Sequence, residues 1–462
     1  MNPKIFKAYD IRGIYPEEIN EQNIKIITSA IIRFFRETLN KDDLKIALGR
    51  DMRISSPTLY NSVKETLLSL GITVVELGLT STPSLYFSIL HYQYDAGIQI
   101  SASHNPKQWN GLKFCFREGN KIVKVSKAIG MDKIQSYATS GKITQSFKKG
   151  LLLQNYDHIK EEVDSLSRLM RPTFKNIKIV VDTANAMGAT YISEIFKRTS
   201  CKLIKLNYEL DGTFPAHEAN PQKFETLKAL QDQILKTGAD LGIATDGDGD
   251  RIFFIDEKAQ IVPATLISSL ISQEILTKNK NEKILVDIRY TRNVSNIVEK
   301  LGGKVIYNVV GHALITKKLN DVGGAFSGES SGHFFFRETG GAESSILVIY
   351  YVLNLLSKSK KPMSKLMRAY LSSYESGEYN FELPQSIKSK DVLNKIASKF
   401  PDAKKNFMDG LSLEYNLWRC NIRSSNTEPL LRLNLEAEDE NLMKKKLKEL
   451  RDLILLFDAK PK

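Results

Sequence analysis

Residues 244–254 read ATDGDGDRIFF, in which Asp246, Asp248 and Asp250 alternate with Gly247 and Gly249. The glycines carry no Cβ and permit a tight turn that converges three carboxylates. Left alone these would repel one another, whereas three oxygen ligands in so short a span suit a hard divalent cation. Asp-Gly also opens polar hairpin turns, but three aspartates in strict alternation exceed what a turn needs. A calcium loop of the EF-hand type fails. Glu257 falls at its twelfth position, yet Arg251 occupies the sixth, where the sharp turn requires glycine, and the flanks IAT and RIFFID read as strands. Arg251 instead sets a fixed cation beside the metal, a pairing suited to a phosphorylated substrate.

Three further loops carry chemical groups. In QISASHNP, residues 99–106, an apolar strand runs into Ser103, His104 and the turn formers Asn105 and Pro106. The G-x-S-x-G elbow of a serine hydrolase and the P-loop pattern are both absent around it. A serine near three aspartates and a metal makes better sense as a phosphate carrier, because a phosphoserine supplies charge and an oxygen for the metal's shell. In NIRSSNTEPLLRL, residues 421–433, Arg423, Ser424, Ser425, Asn426 and Thr427 offer a guanidinium fork, hydroxyls, an amide and backbone N–H groups, with Arg432 as a second cation. That inventory suits a dianionic phosphate, against the alternative of a polar turn closed by Pro429. In FSGESSGHFFF, residues 326–336, Glu329, Ser330 and Ser331 lie between Gly328 and Gly332, fit to hold sugar hydroxyls, and His333 follows. The chain has six histidines, and His104, His312 and His333 each adjoin such a loop.

Elements must position these loops, and the pattern that does so is strand, loop, helix, strand. DLKIALG, TVVELG and AGIQI read as strands and PTLYNSVKETLLSLG as an amphipathic helix ended by glycine. IKIVVD, KLIKLN and ADLGIAT alternate with ATYISEIFKRT and FETLKALQDQILKTG; KILVDI, KVIYNV and AFSG alternate with TRNVSNIVEKLGG and HALITKKLNDVGG. The fold class is therefore α/β, with three similar α/β domains of mixed sheets and a smaller C-terminal α+β domain. The boundaries read as 1–150 with the serine loop, 151–257 with the metal loop, 258–370 with the sugar loop, and 371–462 with the phosphate loop. Each loop follows a strand, where open α/β sheets place their ligands.

With 462 residues, 42% hydrophobic and 26% charged, the chain describes a globular protein of several domains. No apolar run reaches the roughly 18–20 residues of a membrane span, and the N-terminus lacks a secretory core. Cys115, Cys201 and Cys420 form neither a disulfide framework nor a zinc pattern, which favours a reducing cytoplasm. The net charge of +13 is dispersed lysine on helix faces such as LMKKKLKELRDLI. Neither a nucleic acid nor a membrane is an expected partner.

Together the loops resemble the α-D-phosphohexomutase superfamily, most closely its phosphomannomutase/phosphoglucomutase branch. KAYDIRG, GRDMR, SASHNP with NGLKF, DTANAMG, DGDGDR, VGHALI, GESSGH and RSSNTEP stand in that family's order along the whole chain. The resemblance implies four domains around a central cleft, a phosphoserine at Ser103, and Mg²⁺ held by Asp246, Asp248, Asp250 and a phosphoserine oxygen. It implies sugar contacts from Glu329 and Ser331, distal-phosphate contacts from Arg423, Ser425, Asn426 and Thr427, and a transfer site lined by Tyr9, Arg12, His104 and Lys113. His312 and His333 match substrate-side positions. Arg289 stands where this branch often has Lys, Glu343 where an Asp is common, and Ser330 at a variable position. The implied reaction interconverts hexose 1- and 6-phosphates, of mannose, glucose or both, through a hexose 1,6-bisphosphate that also serves as activator. Lys113 and His333 are the candidates for the proton-accepting group, since Arg stays protonated. Phosphoglucosamine mutase activity and catalytically silent binding of a sugar phosphate are the alternatives. The expected assembly is a monomer or homodimer.

Overall fold

A computed structural model describes residues 1–141, 149–425 and 430–462. Among these residues the chain forms four sheets. The first runs in the order Ile11–Ile14, Trp109–Glu118, Ala96–Ile100, Lys45–Arg50, Thr73–Leu79, Leu152–Gln154, with Lys121–Lys124 hairpinned onto Trp109–Glu118. Its central strands are parallel and Trp109–Glu118 is antiparallel to both neighbours. The central strands are buried on both faces because helices cover both sides.

The second sheet orders Ile261–Val262, Ile252–Asp256, Leu241–Thr245, Lys178–Asp182 and Lys202–Leu206; the third orders Lys304–Asn308, Lys283–Asp287, Phe326–Gly328 and Phe334–Phe336. Both join a parallel ladder to an antiparallel edge. The fourth sheet, built around Trp418–Ser424, Leu430–Ala437 and Tyr374–Glu382, is antiparallel. Three mixed α/β layers and a smaller α+β domain thus match the fold class read from the residues.

The first two transitions fall later than the pattern suggested. Leu152–Gln154 pairs with Thr73–Leu79, so the first sheet passes residue 150. Ile261–Val262 pairs with Ile252–Asp256, so the second sheet passes residue 257. Ladder hydrogen bonds between distant segments decide both, and periodicity does not carry them.

The second and third layers share one apolar core, which runs continuously from Val163 to Tyr370. Helices Ala264–Lys278 and Ser345–Ser359 build it. They are apolar on nearly every side, as helices buried all round must be. The first and fourth domains keep separate cores. No described helix is long and apolar enough to cross a membrane.

Candidate active site

Ser103 follows the strand Ala96–Ile100 and is buried, with its backbone in the left-handed region at φ 51°. A non-glycine residue there is strained and needs surrounding structure to hold it. Arg53 does so. Its guanidinium, fully buried, donates to the carbonyls of Ser103 (2.8 Å), Asn105 (2.6 Å), Pro106 (2.7 Å) and Trp109 (3.0 Å), and Asp51 accepts from its Nε at 3.1 Å. Arg12 adds a bond to Asn105 Oδ1 (2.7 Å) while anchored on Asp10.

The serine Oγ donates to Asp246 Oδ2 at 2.9 Å and lies 3.3 Å from His104 Nδ1. Asp246 Oδ1 accepts from the backbone N–H of Gly249 and Arg251, which closes the aspartate loop. The approach depends on glycine: a Cβ on Gly247 would stand 2.2 Å from the Ser103 carbonyl oxygen. Lys113 reaches across and donates to both Asp248 Oδ2 and Asp250 Oδ2 at 2.6 Å. All three carboxylates are buried, and one oxygen from each lies within 4.8 Å of the others.

Burial and the neighbouring Asp250 and Asp248 push the Asp246 carboxyl far above the usual range. Burial also opposes charge on Asp250, but Lys113 and His333 hold it well below its ordinary value. Lys113 is likewise desolvated, and the two aspartates outweigh this and raise it, so it stays protonated. Asp248 Oδ1 is buried without a hydrogen-bond partner. A buried carboxylate oxygen without a hydrogen-bond partner, grouped with two further aspartates, suits coordination of a hard cation.

The loop Gly328–His333 closes the site from the third domain. His333 lies between two carboxylates, with Nε2 3.3 Å from Asp250 Oδ1 and Nδ1 3.3 Å from Glu329 Oε2. Burial would lower this imidazole, but Asp250 and Glu329 raise it to about 9. Ser331 Oγ is 2.9 Å from His333 Nδ1, and Arg251 Nε is 3.4 Å from Nε2. Gly332 adopts φ 87°, the left-handed turn that brings His333 back under Glu329. Arg289 pairs with Glu329 (3.0 Å) and Asp287 (2.7 Å), and Ser330 donates to Asp287 through N and Oγ.

Tyr9 packs edge-on against His312, whose ring stacks 6.3 Å from His333. Loss of solvent, aided by nearby cations, holds His104 and His312 well below 6.5 and therefore neutral. Glu343 forms a buried ion pair with Lys124 of the first domain.

The structure thus gathers Ser103, His104, Lys113, Arg12, Tyr9, the three aspartates, Arg251, Arg289, His312 and Glu329–His333 into one contiguous cluster. Arg423 and Arg432 sit on the fourth domain, both paired at 3.1 Å with Glu378, and Arg423 feels the charge of Arg289. Ser424 is exposed and Ser425 half-buried beside them, while Asn426 and Thr427 lie outside the described residues. Sequence reasoning did not single out Arg53, Asp51, Asp287 or Thr82. Their signal, where one exists, is position: GRDMR and the Ser81-Thr82-Pro83 helix start both follow parallel strands, at the end where such sheets keep their sites.

A chain of this build is a multidomain α/β protein whose layers converge on one buried cluster of aspartates and a serine. It belongs to the phosphoglucomutase/phosphomannomutase family, whose alpha/beta/alpha domains I, II and III match residues 3–140, 156–259 and 264–374, and whose C-terminal domain matches 378–453. A phosphomannomutase of Methanocaldococcus jannaschii is 35% identical over 460 residues, covering 98% of each chain. A phosphomannomutase/phosphoglucomutase of Pseudomonas putida is 30% identical over 447 residues, covering 94% of this chain and 92% of its own. A crystal structure of a phosphoglucomutase/phosphomannomutase family protein from Burkholderia thailandensis superposes with a TM-score of 0.88 at 26% identity, covering 100% of this chain and 99% of that one.

Proposed function

We propose that the protein interconverts the 1- and 6-phosphates of a hexose, mannose or glucose, with Ser103 carrying the phosphoryl group between them. The observation that carries this reading is the strained, buried Ser103, whose Oγ meets Asp246 at 2.9 Å beside an orphaned carboxylate oxygen of Asp248. The family membership agrees with it.

The donor set, three carboxylates with a buried unpartnered oxygen, fits a hard divalent cation, and Mg²⁺ is the natural choice. Asp246, Asp248 and Asp250 would hold it, joined by an oxygen of phosphorylated Ser103. Its chemistry there is charge neutralisation on the phosphoryl oxygens.

The chain's own residues do the rest. Phosphoryl transfer has a loose transition state, so positioning and charge carry the rate. Arg53 and Arg12 fix the serine loop, and Lys113, held protonated, contributes positive charge rather than proton abstraction in the resting protein. The hexose hydroxyl attacks phosphorus in line, its O–P bond forms as the Ser103 O–P bond breaks, and its proton passes to a group lining the cleft. His333, raised to about 9, is protonated at neutral pH and suits the reverse duty of returning a proton to the leaving oxygen. Glu329 and Ser331 grip sugar hydroxyls, with Ser330, Gly332, Tyr9 and His312 shaping the wall. Arg251, Arg289, Arg423, Ser424, Ser425 and Arg432, with Asn426 and Thr427, receive phosphate. The hexose 1,6-bisphosphate formed must turn over before its second phosphate returns to Ser103. Added bisphosphate therefore acts as activator by phosphorylating the free serine.

Phosphorus NMR tests this directly. Purified protein with Mg²⁺ and a trace of hexose 1,6-bisphosphate converts mannose and glucose 1-phosphates to 6-phosphates, and Ser103→Ala converts neither. Turnover by Ser103→Ala would refute the phosphoserine route. If the intact protein acts only on glucosamine phosphate, the substrate class is wrong.

A further inference from the structure

Asp248 has a second partner that the proposed chemistry does not use. Its Oδ2 accepts hydrogen bonds from Lys113 Nζ at 2.6 Å and from Thr82 Oγ1 at 2.5 Å. The Thr82 backbone N–H also donates to the Asp248 carbonyl oxygen at 2.9 Å. Thr82 and Asp248 are separated by 166 residues, and both are fully buried. One residue of the first domain therefore grips the metal loop of the second at two points, main chain and side chain.

Thr82 is itself held rigidly. It opens the helix Thr82–His91, whose cap Ser81 accepts from Ser84 N–H at 3.1 Å. The preceding Thr80 is fixed on three sides: its N–H donates to Arg50 O (3.0 Å), Gln99 Nε2 donates to its carbonyl (2.7 Å), and its Oγ1 lies 2.8 Å from His158 Nε2. Strand, helix and the interdomain helix His158–Met170 all converge on this turn.

We infer that Thr82 is a positioning residue for the cation site: its hydroxyl occupies Asp248 Oδ2 and so turns Oδ1, the buried oxygen without a partner, toward the metal. The inference rests on reading the aspartates as that site. Hydrogen bonds to the outer oxygen of a ligating carboxylate fix its plane and raise affinity. Two donors share Oδ2, and they respond differently to a bound cation. The Lys113 ammonium is a like charge and is repelled by it. The neutral threonine hydroxyl is not, so its hold persists in the loaded site.

The test measures Mn²⁺ binding by the loss of the free-ion EPR signal, on unphosphorylated protein without substrate. Thr82→Val keeps shape and backbone bond but removes the hydroxyl, and it is expected to weaken Mn²⁺ binding about tenfold or more. Thr82→Ser restores the donor and is expected to bind within about threefold of the native chain. Thr82→Ala provides the same comparison should the valine variant fail to fold. In turnover, the Mg²⁺ concentration for half-maximal rate rises in the valine variant while the rate at saturating Mg²⁺ is largely regained. Native Mn²⁺ affinity in a folded Thr82→Val or Thr82→Ala overturns the inference, as does a serine variant as weak as the valine one. A native protein that binds no Mn²⁺ overturns the metal assignment beneath it, which is a distinguishable result.

Discussion

Lys113 shows how one side chain can balance a site. Its ammonium bridges Asp248 and Asp250 at 2.6 Å, with all three side chains buried. Removing one partner of a buried ion cluster leaves uncompensated charge, which costs about 3–5 kcal/mol. Lys113→Met is therefore expected to melt markedly lower than the native chain without divalent ion. Mg²⁺ should restore much of the loss, because a cation replaces the missing charge. Thermal melts with and without Mg²⁺ check this, and an Mg²⁺-induced rise no larger than the native one would contradict it. Arg53 shows the limit of residue reading. The motif GRDMR is visible in the chain, but its importance comes from four carbonyls of residues 103–109, which only the folded loop presents to it.

At the scale of elements, the helix His158–Met170 packs against Thr82–His91 and buries Glu162 with it. Burial raises this carboxyl to about 8, and a bond from Ser84 opposes the shift only partly. A carboxyl raised on folding from 4.5 to about 8 contributes stability that is complete below 4.5 and is lost as pH climbs through 8. Glu162→Gln removes the ionisation, so its melting temperature should exceed the native one at pH 9 and converge with it near pH 5. Glu375, also raised to about 8 by burial, keeps part of the native decline in the variant. Melting curves across that range decide the matter; a constant difference between the two proteins would sink the assignment. These elements were unevenly legible. Strand Lys178–Asp182 and helix His312–Val322 lie where hydrophobic periodicity puts them. The helix Thr82–His91 leaves no periodic signal in the sequence, because eight of its ten residues are buried and such a segment has no polar stripe to reveal its period.

Across the whole molecule, the second and third domains are fused by a common core, and the fourth is attached by polar contacts. Glu436, fully buried on the fourth domain, accepts from Thr291 N–H at 2.6 Å and Ser373 Oγ at 2.8 Å, and pairs with Arg419 at 3.2 Å. It thereby caps the helix Arg292–Lys300 of the third domain, where an anion is favoured. Glu436→Gln keeps the volume but loses the charge, at about 2 kcal/mol. Calorimetry should show the fourth domain's transition moving to lower temperature, and kinetics a raised KM, since Arg423 and Arg432 travel with that domain. An unchanged thermogram would show that Glu436 does not hold the domain in place.

The chain by itself determined its chemistry-bearing loops and its alternation of strand and helix. Spacing within a loop is local: Asp246, Asp248 and Asp250 must share one turn wherever they fold, and Ser103 must sit in the loop just past the carboxyl end of its strand. Tertiary structure alone decided which groups meet. Ser103 reaches Asp246 across 143 residues, Lys113 reaches Asp248 across 135, and Thr82 grips the same aspartate across 166. Those meetings depend on how sheets stack and which helices share a core. Such packing sums many weak apolar contacts, none of which has a signature in any one stretch of sequence.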